Sequence, residues 1–146
     1  MAQLLKNVSL KRNGSNDSVN VAKELESKVV AIYFSAHWCP PCRAFTPVLK
    51  EFYDKLKSSG EFEIVFVSFD RSDKDLQSYL KEAHGDWLYI TYNDPNIQSL
   101  ANQFDVDGIP SLIVVKPDGT LISKEARGDV EMKSPSEALA EWKSKL

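Results

Sequence analysis

Trp38-Cys39-Pro40-Pro41-Cys42-Arg43 constrains this chain more than any other stretch, because of what flanks it. Before it, Val29 to Phe34 is apolar without a break and rich in β-branched and aromatic residues. That is the pattern of a strand buried on both faces. After it, Phe45, Val48, Leu49, Phe52 and Leu56 recur on one helical face, with Lys50, Glu51, Asp54 and Lys55 on the other. Pro47 lies inside that helix, where it removes a backbone donor and should kink the axis. The cysteine pair therefore sits where a buried strand turns into a helix. Unpaired backbone N–H groups and the helix dipole favour an anion at that point.

The remaining pattern predicts an alternating chain. Phe62 to Phe69 reads as a second buried strand. Ser72 and Asp75 cap a helix carrying Leu76, Tyr79, Leu80 and Ala83, with Gly85 beyond its end. Asp94-Pro95 reads as an N-cap with proline at the first helical position, ahead of a face of Ile97, Leu100, Ala101 and Phe104. Gly108-Ile109-Pro110 breaks the chain before a strand at Ser111 to Val115. Asp118-Gly119 marks a hairpin into Thr120 to Lys124. Ser134-Pro135-Ser136-Glu137 is a capping box that opens a last helix with Ala138, Leu139, Trp142 and Leu146 inward. Asn13-Gly14 predicts an N-terminal hairpin with short arms at Val8 to Leu10 and Val19 to Val21. Helical crossovers imply parallel strands and the Asp118-Gly119 hairpin an antiparallel edge. The expected class is α/β, a mixed central sheet with helices on both faces. One domain over 1–146 is expected, an N-terminal extension at 1–27 and a core at 28–146; 146 residues suit a single core.

Composition excludes several classes. Net charge is −3, without the basic footprint of a nucleic-acid binder. The run Val29 to Phe34 is far short of the ~20 residues of a membrane helix. The N-terminal MAQLLKNVSLKRNG shows no continuous hydrophobic region and no small-residue cleavage site, so a cytoplasmic location is expected, with release by another route left open. No coiled coil appears, and a monomer is the default. Sequons at Asn7, Asn13 and Asn16 are read as chance in an Asn/Ser-rich turn. No nucleotide, flavin or zinc-protease motif occurs.

With two cysteines, a disulfide scaffold is excluded. Residues i and i+3 are neighbours on one helical turn and can close a disulfide. The thiolate is the form that attacks disulfides; at a pKa of about 8.5 only ~3% of a thiol is ionised at pH 7, against roughly half at a pKa of about 7. That shift is worth ~2 kcal/mol. A helix terminus supplies ~0.3–1 kcal/mol. A hydrogen bond from the Cys42 thiol and the charge of Arg43 are candidates for the rest.

Ser35-Ala36-His37-Trp38-Cys39-Pro40-Pro41-Cys42-Arg43, Pro47 and Gly108-Ile109-Pro110 together resemble the thioredoxin superfamily from about Val29 to the C-terminus. W-C-P-P-C-R followed by Phe45-Thr46-Pro47, with the Phe52-Tyr53 pair, is similar to the tryparedoxin and nucleoredoxin branch. The resemblance implies a thioredoxin fold behind the N-terminal hairpin and a dithiol–disulfide oxidoreductase. Cys39 would be the nucleophile and Cys42 the resolving cysteine. Pro40 and Pro41 would stiffen the loop. Trp38 would shield the disulfide and meet the target. Pro110 would be a cis-proline, with the Ile109 backbone pairing with an extended target. Arg127 is the candidate for recognising a small thiol donor. No cofactor is implied beyond the cysteine pair. The implied partners are disulfide-containing proteins, among them a peroxiredoxin-type peroxidase, and a reductase or low-molecular-weight thiol. A redox-sensing interaction module of nucleoredoxin type is the alternative.

The chain departs from ordinary thioredoxins at the buried Asp and Lys that stand behind the second cysteine. Those positions are Tyr33 and Phe66 here; Tyr33, a water or Asp70 are the candidate replacements. Tyr33, Trp87 and Tyr89 also suit plain core packing, and Arg127 a surface role. A zinc site built from Cys39, Cys42, His37 and His84 is disfavoured, because the histidines form no compact second pair.

Overall fold

A computed structural model describes residues 4–146. Residues 1–3 of the expected N-terminal extension lie outside the described residues. Six strands, β1 (Leu10–Arg12), β2 (Val29–Ser35), β3 (Phe62–Ser68), β4 (Leu88–Ile90), β5 (Ser111–Val115) and β6 (Leu121–Ser123), form one sheet in the order β1-β4-β3-β2-β5-β6. β2, β3 and β4 are parallel; β1, β5 and β6 each pair antiparallel to their neighbour. The helices are α1 (Val21–Glu24), α2 (Pro40–Leu56), α3 (Asp73–Ala83), α4 (Asn96–Gln103), α5 (Ala126–Met132) and α6 (Pro135–Lys143).

The unbroken apolar run in β2 has a direct explanation. Successive strand side chains point to opposite faces. Val29, Ala31 and Tyr33 enter one core with α2, α3, α5 and α6, while Val30, Ile32 and Phe34 enter a second with α4 and the N-terminal segment. Both faces are covered, so the run from Val29 to Phe34 is apolar on both sides. β3 divides in the same way: Phe62, Ile64 and Phe66 on the first side, Val65 and Val67 on the second.

The expected helix starts hold. Ser72 Oγ accepts from Asp75 N–H at 3.1 Å and Ser134 Oγ from Glu137 N–H at 3.2 Å. Asp94 Oδ1 accepts from Asn96 N–H at 2.8 Å, so its side chain caps α4 across the helical Pro95. α2 continues through Pro47, and Phe45, Leu49, Phe52 and Leu56 are buried as expected. Val48 is not: it is exposed, because the stripe facing the sheet is narrower than the apolar spacing. Leu146 lies past the end of α6 and is also exposed.

The N-terminal hairpin is reduced to one bridge, Lys11 to Ser18, and its second arm ends in a helix, with Asn20 capping α1 where Val21 was expected in a strand. The first arm instead becomes β1 at the edge of the sheet, Leu10 opposite Ile90. Strand β4 and helix α5 escape the sequence reading. β4 is three residues long, and α5 carries Gly128 and neither a side-chain cap nor a long apolar stripe. Trp87 and Tyr89 are buried in the core. The Asn13 amide donates to the Leu80 and Gly85 carbonyls, so this sequon asparagine is committed to packing.

Candidate functional site

The end of β2 delivers Ser35 and Ala36 to the head of α2. Cys39 is the N-cap of that helix, and Pro40 and Pro41 open it. Two prolines leave the first turn with no N–H of their own. The next N–H along, that of Cys42, donates to Cys39 Sγ at 3.3 Å. The sulfur thus takes the place of a capping oxygen, and it receives this hydrogen bond from the Cys42 backbone. Of the two further candidates named from sequence for stabilising the thiolate, the Cys42 thiol is here part of the disulfide, and Arg43 is exposed, with no ion pair among the described residues. Cys39 and Cys42 are joined as a disulfide, with Cα atoms 5.2 Å apart. Cys42 is fully buried and Cys39 is 5% exposed.

The walls of the site come from Trp38, the cis-proline loop, the Phe69-Asp70 loop and helix α5. Ile109-Pro110 is a cis peptide, and the Ile109 carbonyl lies 3.9 Å from Cys39 Sγ. Trp38 is 47% exposed and its indole N–H donates to the Phe69 carbonyl at 3.1 Å. Phe69 and Ile109 pack against the Ala36, Cys39 and Cys42 cluster. Arg127, on α5, donates to the Pro110 carbonyl at 3.0 Å and sets its guanidinium over the Phe45 ring at 5.5 Å. It therefore buttresses the cis-proline loop. A hollow of about 350 Å³ opens beside Pro110, Lys124 and Arg127. Asp70 is buried, and its carboxylate is committed to two other groups: it accepts from the His37 N–H at 2.7 Å and the Ser68 hydroxyl at 2.6 Å. It holds the loop that carries Trp38.

Behind Cys42 stands a set of hydroxyls. Thr46 Oγ1 donates to the Cys42 carbonyl at 2.9 Å and lies 2.7 Å from Tyr33 Oη and 2.6 Å from Tyr79 Oη. Tyr79 Oη is 2.6 Å from Ser35 Oγ. The carbonyl can only accept, so it fixes the direction of the chain. Thr46 spends its proton on Cys42, both tyrosines donate to Thr46, and Ser35 donates to Tyr79. Tyr33 and Phe66, the two positions where ordinary thioredoxins carry the buried Asp and Lys, are paired across β2 and β3. Burial, followed by the neighbouring Tyr79, holds the Tyr33 phenol above its ordinary pKa. Tyr33 is a neutral hydroxyl in the core, not a base.

Thr46→Val keeps the shape and removes the hub. It is expected to lower stability by about 2 kcal/mol, since buried hydroxyls and a carbonyl lose their partner. Urea unfolding measures this, with Thr46→Ser retaining most of the stability. A valine variant as stable as the native protein would show that the hub contributes nothing.

The histidines are drawn elsewhere. His37 Nε2 pairs with Glu82 at 2.8 Å. His84 Nδ1 accepts from the Trp87 indole N–H at 3.0 Å, so the neutral ring carries its proton on Nε2, which has no hydrogen-bond partner among the described residues. No cluster of three or more metal-ligating side chains occurs among the described residues. Burial, with a smaller push from His37, lowers the His84 pKa from 6.5 to about 3. The unfolded chain gains this proton near pH 6.5 and the native state only near pH 3. Between those values the unfolded state binds more protons, so stability falls as pH falls. From pH 6.5 to 4.5 the expected loss through this one residue is about 2 kcal/mol. His84→Phe should remove that pH difference in urea unfolding. An unchanged slope would mean that native His84 titrates normally.

A sequence model described as thioredoxin-like matches residues 26–121. Mouse nucleoredoxin is 46% identical over 111 residues, covering 75% of this chain and 25% of that protein. The chain spans 20–30% of the length of the nucleoredoxins it matches. A thioredoxin structure from Wuchereria bancrofti superposes with a TM-score of 0.82 at 48% identity, covering 97% of this chain and 98% of that one. A tryparedoxin II structure, in complex with glutathionylspermidine, superposes with a TM-score of 0.79 at 33% identity over 88% and 89% of the two chains.

Proposed function

The chain belongs to the thioredoxin-like family, and on that premise we propose that it is a thiol–disulfide oxidoreductase that reduces protein disulfides through Cys39 and Cys42. The observation that carries this reading is the asymmetry of the pair. Cys39 lies at the helix head beneath Ile109-Pro110 and keeps a small exposed edge, 5% of its surface, while Cys42 has none.

Reduction proceeds by two exchanges. The Cys39 thiolate attacks one sulfur of the target disulfide, and the other target sulfur leaves as a thiolate. The Cys42 thiolate then attacks Cys39 Sγ and the first target sulfur leaves. Two electrons have passed to the target, and Cys39–Cys42 is the disulfide present in the structure. The redox centre is the cysteine pair itself. Extended target backbone would pair with Ile109, which the cis-proline turns toward Cys39.

An external thiol must restore the dithiol. The complex of tryparedoxin II with glutathionylspermidine supports a small thiol as donor, and the hollow between Pro110 and Arg127 is where we place it. Supply of electrons to a thiol peroxidase is a further part of the proposal, as is a reducing compartment such as the cytoplasm. The likeness to nucleoredoxin favours a second reading, a redox-sensing module that binds a partner in one oxidation state.

The test is turnover of a model protein disulfide with a dithiol as donor. Rapid turnover above the donor's own rate is expected. No turnover by the folded protein would sink the reductase reading and leave the partner-specific module.

A further inference from the structure

We propose that Arg71, laid over Trp38, makes the protein select target disulfides flanked by carboxylates; this rests on the reductase reading and names the class of target. The Arg71 guanidinium carbon lies 5.0 Å from the centroid of the Trp38 ring. The Trp38 ring and the backbone that carries Arg71 are each held by a hydrogen bond. The indole N–H is tied to the Phe69 carbonyl, and the Tyr92 hydroxyl donates to the Arg71 carbonyl at 2.8 Å. The ring and its cation are thus presented together on the rim of the reactive disulfide.

No carboxylate neutralises this cation. Among the described residues Arg71 forms no ion pair. The acidic side chains beside it in sequence are engaged elsewhere: Asp70 with the His37 N–H and Ser68, Asp73 with the Gln77 amide. An exposed arginine in a chain of net charge −3 has many carboxylates to choose from. This one rests on an aromatic face instead, and with no ion pair among the described residues its N–H donors are left for a bidentate carboxylate. A target segment that crosses Trp38 to bring its sulfur to Cys39 must pass this guanidinium. Glutamate or aspartate beside the target cysteine would meet a preorganised partner, and lysine would meet a like charge. On the cis-proline side Lys124 and Arg127 stand together with Asp107 and Glu125, so charges of both signs are mixed there, and the unpaired cation at the Trp38 edge is Arg71.

The experiment compares turnover of three peptide disulfides, identical except for glutamate, serine or lysine flanking each cysteine. The native protein and Arg71→Gln, Arg71→Lys and Arg71→Glu are each scored by the ratio of rates between peptides. An exposed charge pair is worth up to about fivefold at low salt, so a glutamate-to-lysine ratio of about tenfold is expected. The ratio should persist in Arg71→Lys, fall toward one in Arg71→Gln and invert in Arg71→Glu. In 1 M salt, where the screening length is ~3 Å, it should collapse. Equal rates for the three peptides, or a glutamate preference that survives Arg71→Glu, overturns the inference alone. Absence of turnover with every peptide overturns the reductase reading and the inference with it.

Discussion

Cys39→Ser is expected to reduce turnover to the rate of the donor alone, and Cys42→Ser to stop it after one event with the target held on Cys39. The asymmetry follows from burial. Cys42 has no exposed surface, so a target cannot reach its sulfur until Cys39 is already engaged. Chemistry adds to sterics. A nucleophile needs thiolate character near neutral pH, which calls for ~2 kcal/mol of stabilisation over a free cysteine. The dipole of α2 supplies ~0.3–1 kcal/mol. A hydrogen bond to a charged group is worth ~1.5–3 kcal/mol, and the Cys42 N–H already points at Cys39 Sγ. The two together reach what is required without a nearby cation. In the reduced protein, Cys39 should therefore be the cysteine alkylated at neutral pH, and Cys42 should stay unmodified. Mass spectrometry of Cys42→Ser after exposure to target reads the trapped adduct directly. A Cys39→Ser protein that forms the adduct at Cys42 would reverse the assignment.

What sequence could and could not reveal divides by distance along the chain. Periodicity in Val29 to Phe34 and in α2, the caps at Ser72 and Ser134 and the C-x-x-C pair are all local, and the structure carries each of them. The placement of Ile109-Pro110 against Cys39 came from a motif resemblance, since nothing local links residues 70 positions apart. The residues that sequence reasoning missed act across the fold. Thr46 is one helical turn from Cys42, but its role depends on Tyr79, which only the packing of α3 brings to it. Arg71 gives no signal beyond a polar strand-to-helix connection until Trp38 is seen beneath it. Arg127, read from the resemblance as a donor contact, is first a support for the Pro110 carbonyl. β4 is too short for a periodic signal, and its three buried residues belong to the sheet only because β3 and β1 lie on either side.

Arg12 is the clearest such case, and its removal is expected to have the largest effect on stability. Glu63 lies on β3 with its side chain 4% exposed, and Arg12 reaches it from the edge strand at 3.1 Å. Arg12 also donates to the Asp86 carbonyl at 2.7 Å and pairs with Glu24 of α1. One guanidinium therefore fastens β1, α1 and the approach to β4 to a buried carboxylate. Burial, then the Glu63 charge, holds the nearby Tyr53 phenol above its ordinary pKa, so that hydroxyl stays neutral and offers Glu63 no charge in return. Arg12→Met leaves the buried Glu63 charge with neutral donors alone, the Ile64 N–H and the Tyr53 hydroxyl. Breaking a buried pair from one side costs about 3–5 kcal/mol; the lower end applies here because Arg12 is itself partly exposed. The cost belongs to the stranded charge rather than to a strong bond, since desolvation offsets most of the attraction within the intact pair. Arg12→Met with Glu63→Leu removes both charges together and is expected to recover to within about 1 kcal/mol of the native protein. Urea unfolding of the two single variants and the double gives the coupling directly. A double variant no more stable than Arg12→Met would show that Arg12 acts through its contacts with Asp86 and Glu24, and that the pairing with Glu63 is incidental.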